Sequence, residues 1–230
     1  MKELTPIEIK DKLIESGLLS KRGSLNFSFL DSEITYVVKD SFGYLFQSWL
    51  TKWFNDNDIY SRENKNSQEP PDFYLKKDSD NSGFLEIKTF YENPSFDIHG
   101  WDAYLNLLID KPYHIDADFM IFNYDISSKG DYFTIKNIYV KKIWEISRRM
   151  KRGQINFPVN VQYKNQTIVN LRPVGISDLE TDIFEYDRKE FLSAIQDTID
   201  MYDKARDNHK DGKWLEKVID NYKIITGNEI

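Results

Sequence analysis

The chain has 230 residues, 40% hydrophobic and 15% aromatic, and carries 31 lysines and arginines against 38 acids for a net charge of −7. That much apolar material can close a core, and a single domain over residues 1–230 is expected. The absence of cysteine excludes disulfides, thiolate nucleophiles and cysteine-ligated metal centres. The opening run MKELTPIEIKDKLIESG is charged and amphipathic, unlike a signal peptide, and no run of eighteen apolar residues occurs, so a cytoplasmic protein is expected. Net acidity argues against a polyanionic partner, but the charge is uneven. Residues 129–172 hold ten lysines and arginines against two acids, a local +8 that leaves −15 for the remainder. Such asymmetry fits one basic face on an acidic body, or a plain solvated surface.

Residues 5–16 read as a first helix. In KDSFGYLFQSWLTKWFND, residues Phe42, Leu45, Phe46, Trp49, Leu50, Trp53 and Phe54 follow the spacing of a buried helical stripe, with Asp40 or Ser41 as N-cap. A short strand is expected at residues 59–62. DFYL and FLEIKTF then read as two strands joined by the turn-forming KKDSDNSG, a hairpin. Trp101, Tyr104, Leu105, Leu108 and Ile109 sit at helical spacing up to Pro112, where the helix must stop. DADFMIFNYDI is an apolar strand that belongs inside a sheet. The basic segment continues as a strand, DYFTIKNIYV, and a helix, KKIWEISRRM. In INFPVNVQYKNQTIVNLRPV two alternating runs meet at KNQ as a second hairpin. Beyond residue 178 the chain reads as helices that pack through i, i+4 apolar spacing.

The first hairpin holds a puzzle: Asp72, Glu86 and Lys88 lie among strand-forming residues. A buried charge is costly unless it is paired, hydrogen-bonded or bound to metal. Alternation in FLEIKTF puts Glu86 and Lys88 on one face, with Leu85, Ile87 and Thr89 on the other. Asp72 opens the neighbouring strand, so its carboxylate can approach Glu86. Two carboxylates and a backbone carbonyl such as that of Ile87 make a partial oxygen shell suited to Mg²⁺. Lys88 beside it can orient or deprotonate an attacking water. On an exposed face the same residues would be an ordinary ion pair of little energetic weight.

Pro71-Asp72 followed by Glu86-Ile87-Lys88 resembles the PD-(D/E)xK signature of the restriction-endonuclease-like nucleases. The resemblance implies an α/β fold with a central mixed β-sheet flanked by helices, and Mg²⁺-dependent cleavage of DNA. It implies Asp72 and Glu86 as metal ligands and Lys88 as the residue that assists the water. The order of elements fits over residues 39–126, the expected catalytic core. An acidic residue on the preceding helix, usual in many members, is replaced here by Gln47, which is a substituted second-sphere partner or a polar flank. The run EIKTFYENPSFDIHGWDAY and the chain length are also similar to the NgoBV/NlaIV-type enzymes, whose palindromic target is GGNNCC. That implies a type II restriction endonuclease, a homodimer on double-stranded DNA, and a cognate DNA methyltransferase as functional, not physical, partner. Alternatives are a repair or junction-resolving nuclease of the same fold, and a DNA-binding module without catalysis.

DNA reading is expected over residues 129–172, with an added β-hairpin, and C-terminal packing helices over 178–225. Arg148, Arg149, Lys151, Arg152, Gln154 and Asn156 are followed by Gln162, Lys164, Asn165, Gln166, Asn170 and Arg172. Arginines suit guanine and amides suit adenine in the major groove. The three histidines, His99, His114 and His209, are too scattered for a zinc site, though His99 lies in a loop placed to touch the DNA backbone. No P-loop, dinucleotide fingerprint or nucleophile elbow occurs.

Overall fold

A computed structural model describes the chain except residues 36–38, 67–68, 205 and 207–208 and the side chains of 39–41. The elements run α1 (Pro6–Glu15), β1 (Arg22–Gly23), β2 (Asn26–Phe29), β3 (Ser32–Thr35), α2 (Lys39–Asp56), β4 (Arg62–Glu63), β5 (Phe73–Tyr74) and β6 (Phe84–Tyr91). Then come β7 (His99–Gly100), α3 (Trp101–Asp110), β8 (Asp118–Ile126), β9 (Phe133–Lys142), β10 (Met150–Arg152), β11 (Ile155–Phe157), β12 (Val161–Lys164) and β13 (Thr167–Leu171). The last three helices are α4 (Ile176–Leu179), α5 (Arg188–Tyr202) and α6 (Lys213–Thr226). They form two units, Met1–Pro94 with Ala117–Lys141 and Ser95–Asp116 with Lys142–Ile230.

The first unit is built on a six-stranded sheet in the order β1-β9-β8-β6-β5-β4. β6 runs antiparallel to β5 and parallel to β8, so the sheet is mixed, as expected. A parallel pair needs a crossover connection, which residues 92–117 supply. Phe42, Phe46, Leu50 and Phe54 of α2 bury against Leu85 and Ile87 of β6 and Phe122 and Tyr124 of β8. Each such side chain contributes about 1.5–3 kcal/mol by leaving water. The same layer takes Ile9 and Leu13 from α1, whose start is fixed by a capping box between Thr5 and Glu8. Gly43 lets the helix approach the sheet closely, since a Cβ there would meet Thr89 Oγ1 at 3.2 Å.

Several expectations change. The stripe of α2 is narrower than its spacing implies: Leu45 and Trp49 are 39% and 40% exposed, because they face an open recess between the helix and Phe133 and Ile135 of β9. The expected Asp40 or Ser41 cap lies outside the described residues. The strand near residue 60 is Arg62–Glu63, and Ile59 instead bridges to Lys2 and is buried.

In the second unit, KKIWEISRRM is no helix. β9 carries through Lys142, one 3-10 turn spans Ile143–Ile146, and β10 follows. The Lys142 backbone N–H donates to Glu145 Oε2 at 2.7 Å, and its ammonium donates to the Asp116 carbonyl at 2.6 Å, which holds the chain in a tight corner. INF pairs with β10 as one hairpin, and VQYK pairs with TIVNL as another. The KNQ turn is as expected, with Asn165 (φ 50) and Gln166 (φ 62) both left-handed, as a two-residue hairpin loop requires. β13 also pairs with β7, giving a three-stranded sheet. Phe191, Leu192, Ile195 and Ile199 of α5 are fully buried. Trp101 and Trp214 are buried with their indole N–H groups donating to Asp203 Oδ2 at 2.8 Å and the Leu105 carbonyl at 3.1 Å.

Candidate active site

Asp72 stands one residue before β5. Phe73 pairs with Leu85, so the antiparallel register sets Asp72 opposite Glu86. The two are interlocked through the backbone: the Asp72 N–H donates to Glu86 Oε2 at 3.2 Å, and the Ile87 N–H donates to Asp72 Oδ2 at 2.7 Å. Lys88 Nζ donates to Glu86 Oε1 at 3.2 Å. The Glu86 and Lys88 side chains are only 11% and 19% exposed, which sets them apart from a surface ion pair. Strand alternation places Leu85 and Ile87 in the core under α2 and leaves Glu86 and Lys88 together on the other face.

Gln47, on α2, donates a side-chain hydrogen bond to the Asp72 carboxylate. It is therefore a partner of the acid and more than a polar flank. Burial, and next the negative charge of Glu86, push the Asp72 carboxyl up to about 7. The Ile87 N–H, Lys88 and Gln47 pull it the other way without cancelling the rise. Burial and the second acid thus outweigh the one nearby ammonium, and a divalent cation between the two acids would offset both. Among the described residues no cluster of three histidines, cysteines or acids forms. An oxygen shell here would take its remaining ligands from a carbonyl such as that of Ile87, from water and from phosphate, a set that suits Mg²⁺.

A cleft of about 260 Å³ opens beside Asp72, lined by Tyr44, Gln47, Ser48, Glu63, Asn64, Glu69 and Pro71. Asn64 pins its rim. Its N–H donates to the Asp72 carbonyl at 3.2 Å and its amide to the Glu69 carbonyl at 2.9 Å. Thr51 donates to Glu63. No local sequence signal marks Asn64 or Glu63, since both act through contacts made by the fold.

The residues singled out for DNA lie in the second unit and divide into two groups. Arg148 is held by Asp178 at 2.7 Å, Arg149 by Glu185 at 3.3 Å, and Arg172 by Asp97. Gln162 accepts from Asn170 at 3.0 Å across β12–β13. His99 is half-buried on β7, its ring 5.3 Å from that of Tyr104. Lys151, Arg152, Gln154 and Asn156 are exposed on the β10–β11 hairpin, and Lys164, Asn165 and Gln166 are exposed at the tip of β12–β13. Arg152 reaches back to Asn160 Oδ1 at 3.1 Å.

Comparison with known proteins gives a consistent result. The family model of the NgoBV restriction endonuclease matches residues 3–230. The type II restriction enzyme NlaIV of Neisseria lactamica is 34% identical over 229 residues, 97% of this chain and 91% of that enzyme. The type II restriction enzyme NgoBV of Neisseria gonorrhoeae is 36% identical over 162 residues, 68% of this chain and 90% of that enzyme. A solved structure of the NlaIV restriction endonuclease matches with a TM-score of 0.86 at 32% identity, covering 100% of this chain and 93% of that one. The α/β fold with a mixed sheet flanked by helices is the fold of that enzyme. With the family model spanning nearly every residue, the chain belongs to the NgoBV restriction endonuclease family and is a type II restriction endonuclease of the NgoBV/NlaIV kind.

Proposed function

We propose that this endonuclease hydrolyses DNA phosphodiester bonds with Mg²⁺ held by Asp72, Glu86 and the Ile87 carbonyl, in the manner of PD-(D/E)xK nucleases. The observation that carries the reading is the interlock of the two acids across β5 and β6, with Lys88 at 3.2 Å from Glu86. Bound there, the cation supplies Lewis acidity that neutralises charge growing on the scissile phosphate. Lys88 orients the attacking water and helps to remove its proton. Its ammonium, largely withdrawn from solvent, acts in a low dielectric where charge counts for more. Gln47 holds the Asp72 carboxylate by a side-chain hydrogen bond at the edge of the cleft that both residues line.

The target is a short palindrome in double-stranded DNA, GGNNCC, cut on both strands by a homodimer whose twofold axis matches that of the site. The exposed β10–β11 and β12–β13 hairpins present Lys151, Arg152, Gln154, Lys164, Asn165 and Gln166 for phosphate contact and base reading. Arg148, Arg149 and Arg172, already ion-paired, brace these hairpins and reach DNA only by exchanging partners. His99 contributes at the backbone. A DNA methyltransferase that protects the same site is the functional counterpart, with no physical contact.

The test is incubation with plasmid and Mg²⁺ followed by sequencing of the fragment ends. Cuts at one palindrome are expected, and none with Asp72→Ala or Lys88→Ala while DNA affinity is kept. Binding without hydrolysis in any divalent metal would sink the nuclease reading, and cuts set by DNA structure instead of sequence would sink the palindrome.

A further inference from the structure

Helix α2 carries two stripes. Phe42, Phe46, Leu50 and Phe54 bury in the core of the first unit. Tyr44, Gln47, Ser48 and Thr51 repeat the i, i+3, i+4, i+7 spacing on another face of the same helix. This second stripe runs along the cleft beside Asp72. Tyr44, Gln47 and Ser48 line it, and Thr51 donates to Glu63, which lines it as well. Tyr44 at the head of the stripe is 75% exposed, more than Phe27 or Phe29. Core packing therefore does not explain a large aromatic side chain at the cleft.

The charges of the cleft are of one sign. Glu63, Glu69 and Asp72 line it, and among the described residues no lysine or arginine does. An anion entering this space is repelled by the acids, so a favourable protein contact must come from a neutral donor. Four lining side chains can donate: Tyr44, Gln47, Ser48 and Asn64. The Gln47 amide bonds to Asp72. The Ser48 hydroxyl donates to the Tyr44 carbonyl at 3.1 Å. The Asn64 amide donates to the Glu69 carbonyl at 2.9 Å and to the Pro70 carbonyl at 3.4 Å. These three are held within the protein, whereas the Tyr44 hydroxyl has no partner among the described residues.

The place of the cleft selects what meets that hydroxyl. Asp72 lines it, but Glu86 and Lys88 do not. The scissile phosphate belongs where Asp72 and Glu86 share the cation, so the group that enters the cleft is its neighbour on the same strand. Tyrosine hydroxyls are regular donors to DNA phosphates, and such contacts set the register of the strand without reading its sequence. We infer that the Tyr44 hydroxyl donates to a phosphate oxygen next to the scissile one and so holds the cleaved strand in register across the acid pair. The inference rests on the hydrolytic role proposed for Asp72 and Glu86, but its test reads binding, so the two can fail separately.

Affinity is measured for a short duplex with Ca²⁺ in place of Mg²⁺, which separates binding from cleavage. The duplex carries the palindrome at which plasmid is cut, or GGNNCC if plasmid is not cut. Tyr44→Phe removes one solvent-facing oxygen, so its melting temperature should equal that of wild type. It is expected to bind about 10- to 100-fold more weakly, the weight of a hydrogen bond to a charged group. Because the lost donor is neutral, the salt slope of binding should not change, unlike the loss of a lysine contact. Methylphosphonates, which remove the phosphate charge, are then placed one at a time along the strand. At one position beside the cut, wild type and Tyr44→Phe should bind alike, as a double-mutant cycle requires of a direct contact. Equal affinity of the two proteins for the natural duplex overturns the inference, as does a loss that persists at every methylphosphonate. A loss seen with Tyr44→Ala but not with Tyr44→Phe assigns the contact to the ring and overturns it too. Binding as expected by a chain that never cuts DNA leaves the Tyr44 contact standing and fells the hydrolytic role. A wild-type chain without affinity for the duplex overturns both.

Discussion

Two hairpins on this chain serve opposite ends. In β5–β6 the two acids are largely withdrawn from solvent and accept backbone hydrogen bonds from each other's strands, and Gln47 of α2 bonds to one of them. In β12–β13 the tip carries Lys164, Asn165 and Gln166 into solvent, with nothing but the turn geometry to place them. A reaction that depends on charge placed to within a fraction of an ångström needs the first kind of support. A surface that must follow a groove and exchange water for base edges gains from the second. The contrast teaches that one chain can hold both devices by building them on separate sheets, one hairpin covered and the other free.

The strongest challenge to this contrast is removal of a covered acid. Asp72→Ala is expected to lower cleavage by about 10³-fold or more with DNA affinity retained, in single-turnover assays with Mg²⁺. Lys88→Ala should cost about 10²–10⁴-fold; near-normal cutting by either variant would remove the role assigned to it. Gln47→Leu, which takes away the hydrogen bond to Asp72, should weaken the apparent Mg²⁺ affinity about 10- to 100-fold in a metal titration.

Titration sharpens the same point. Because the folded-state carboxyl of Asp72 is raised to about 7 from the usual carboxylate range, the metal-free fold binds a proton that the unfolded chain releases. Its contribution to stability is full below about pH 4 and is lost as the pH rises through about 7. The melting temperature of metal-free wild type should therefore fall between pH 5 and 8 relative to Asp72→Asn, which has no group to titrate there, and Mg²⁺ should restore it most at the higher pH. Parallel curves for the two proteins would contradict this assignment. The smallest effects belong to the free hairpin. Lys164→Ala should reduce the salt slope of DNA binding by about one unit, and Asn165→Ala should narrow the preference for the cognate site by about 1–3 kcal/mol.

What could be read from the sequence follows from range. The α2 helix and the alternation of β6 are local patterns, so residues 39–56 and the pairing of Glu86 with Lys88 on one face were legible. The exposure of Leu45 and Trp49 was not, because spacing shows what a helix offers and not what meets it. KKIWEISRRM offers Ile143 and Ile146 at a helical interval, but a strand, one tight turn and another strand bury the same two side chains. Asp178, Glu185 and Asp97, which hold three of the arginines expected at DNA, are 30, 36 and 75 residues away from them. The bond between Gln47 and Asp72 likewise exists only once helix and sheet have met.

The parallel pairing of β6 with β8 bears on the timing of assembly during synthesis. The β5–β6 hairpin can close as soon as residue 91 has left the ribosome, whereas its other neighbour must wait for residue 126 and a long detour of chain. The strand bearing Glu86 and Lys88 is thus predicted to remain a sheet margin until late, and amides of β8 should gain protection after those of β5 in pulsed hydrogen exchange. A nascent polypeptide with this topology can join Asp72, Glu86 and Lys88 early but leaves one edge of their strand open until β8 is made, so the sheet that supports the hydrolytic residues is completed late.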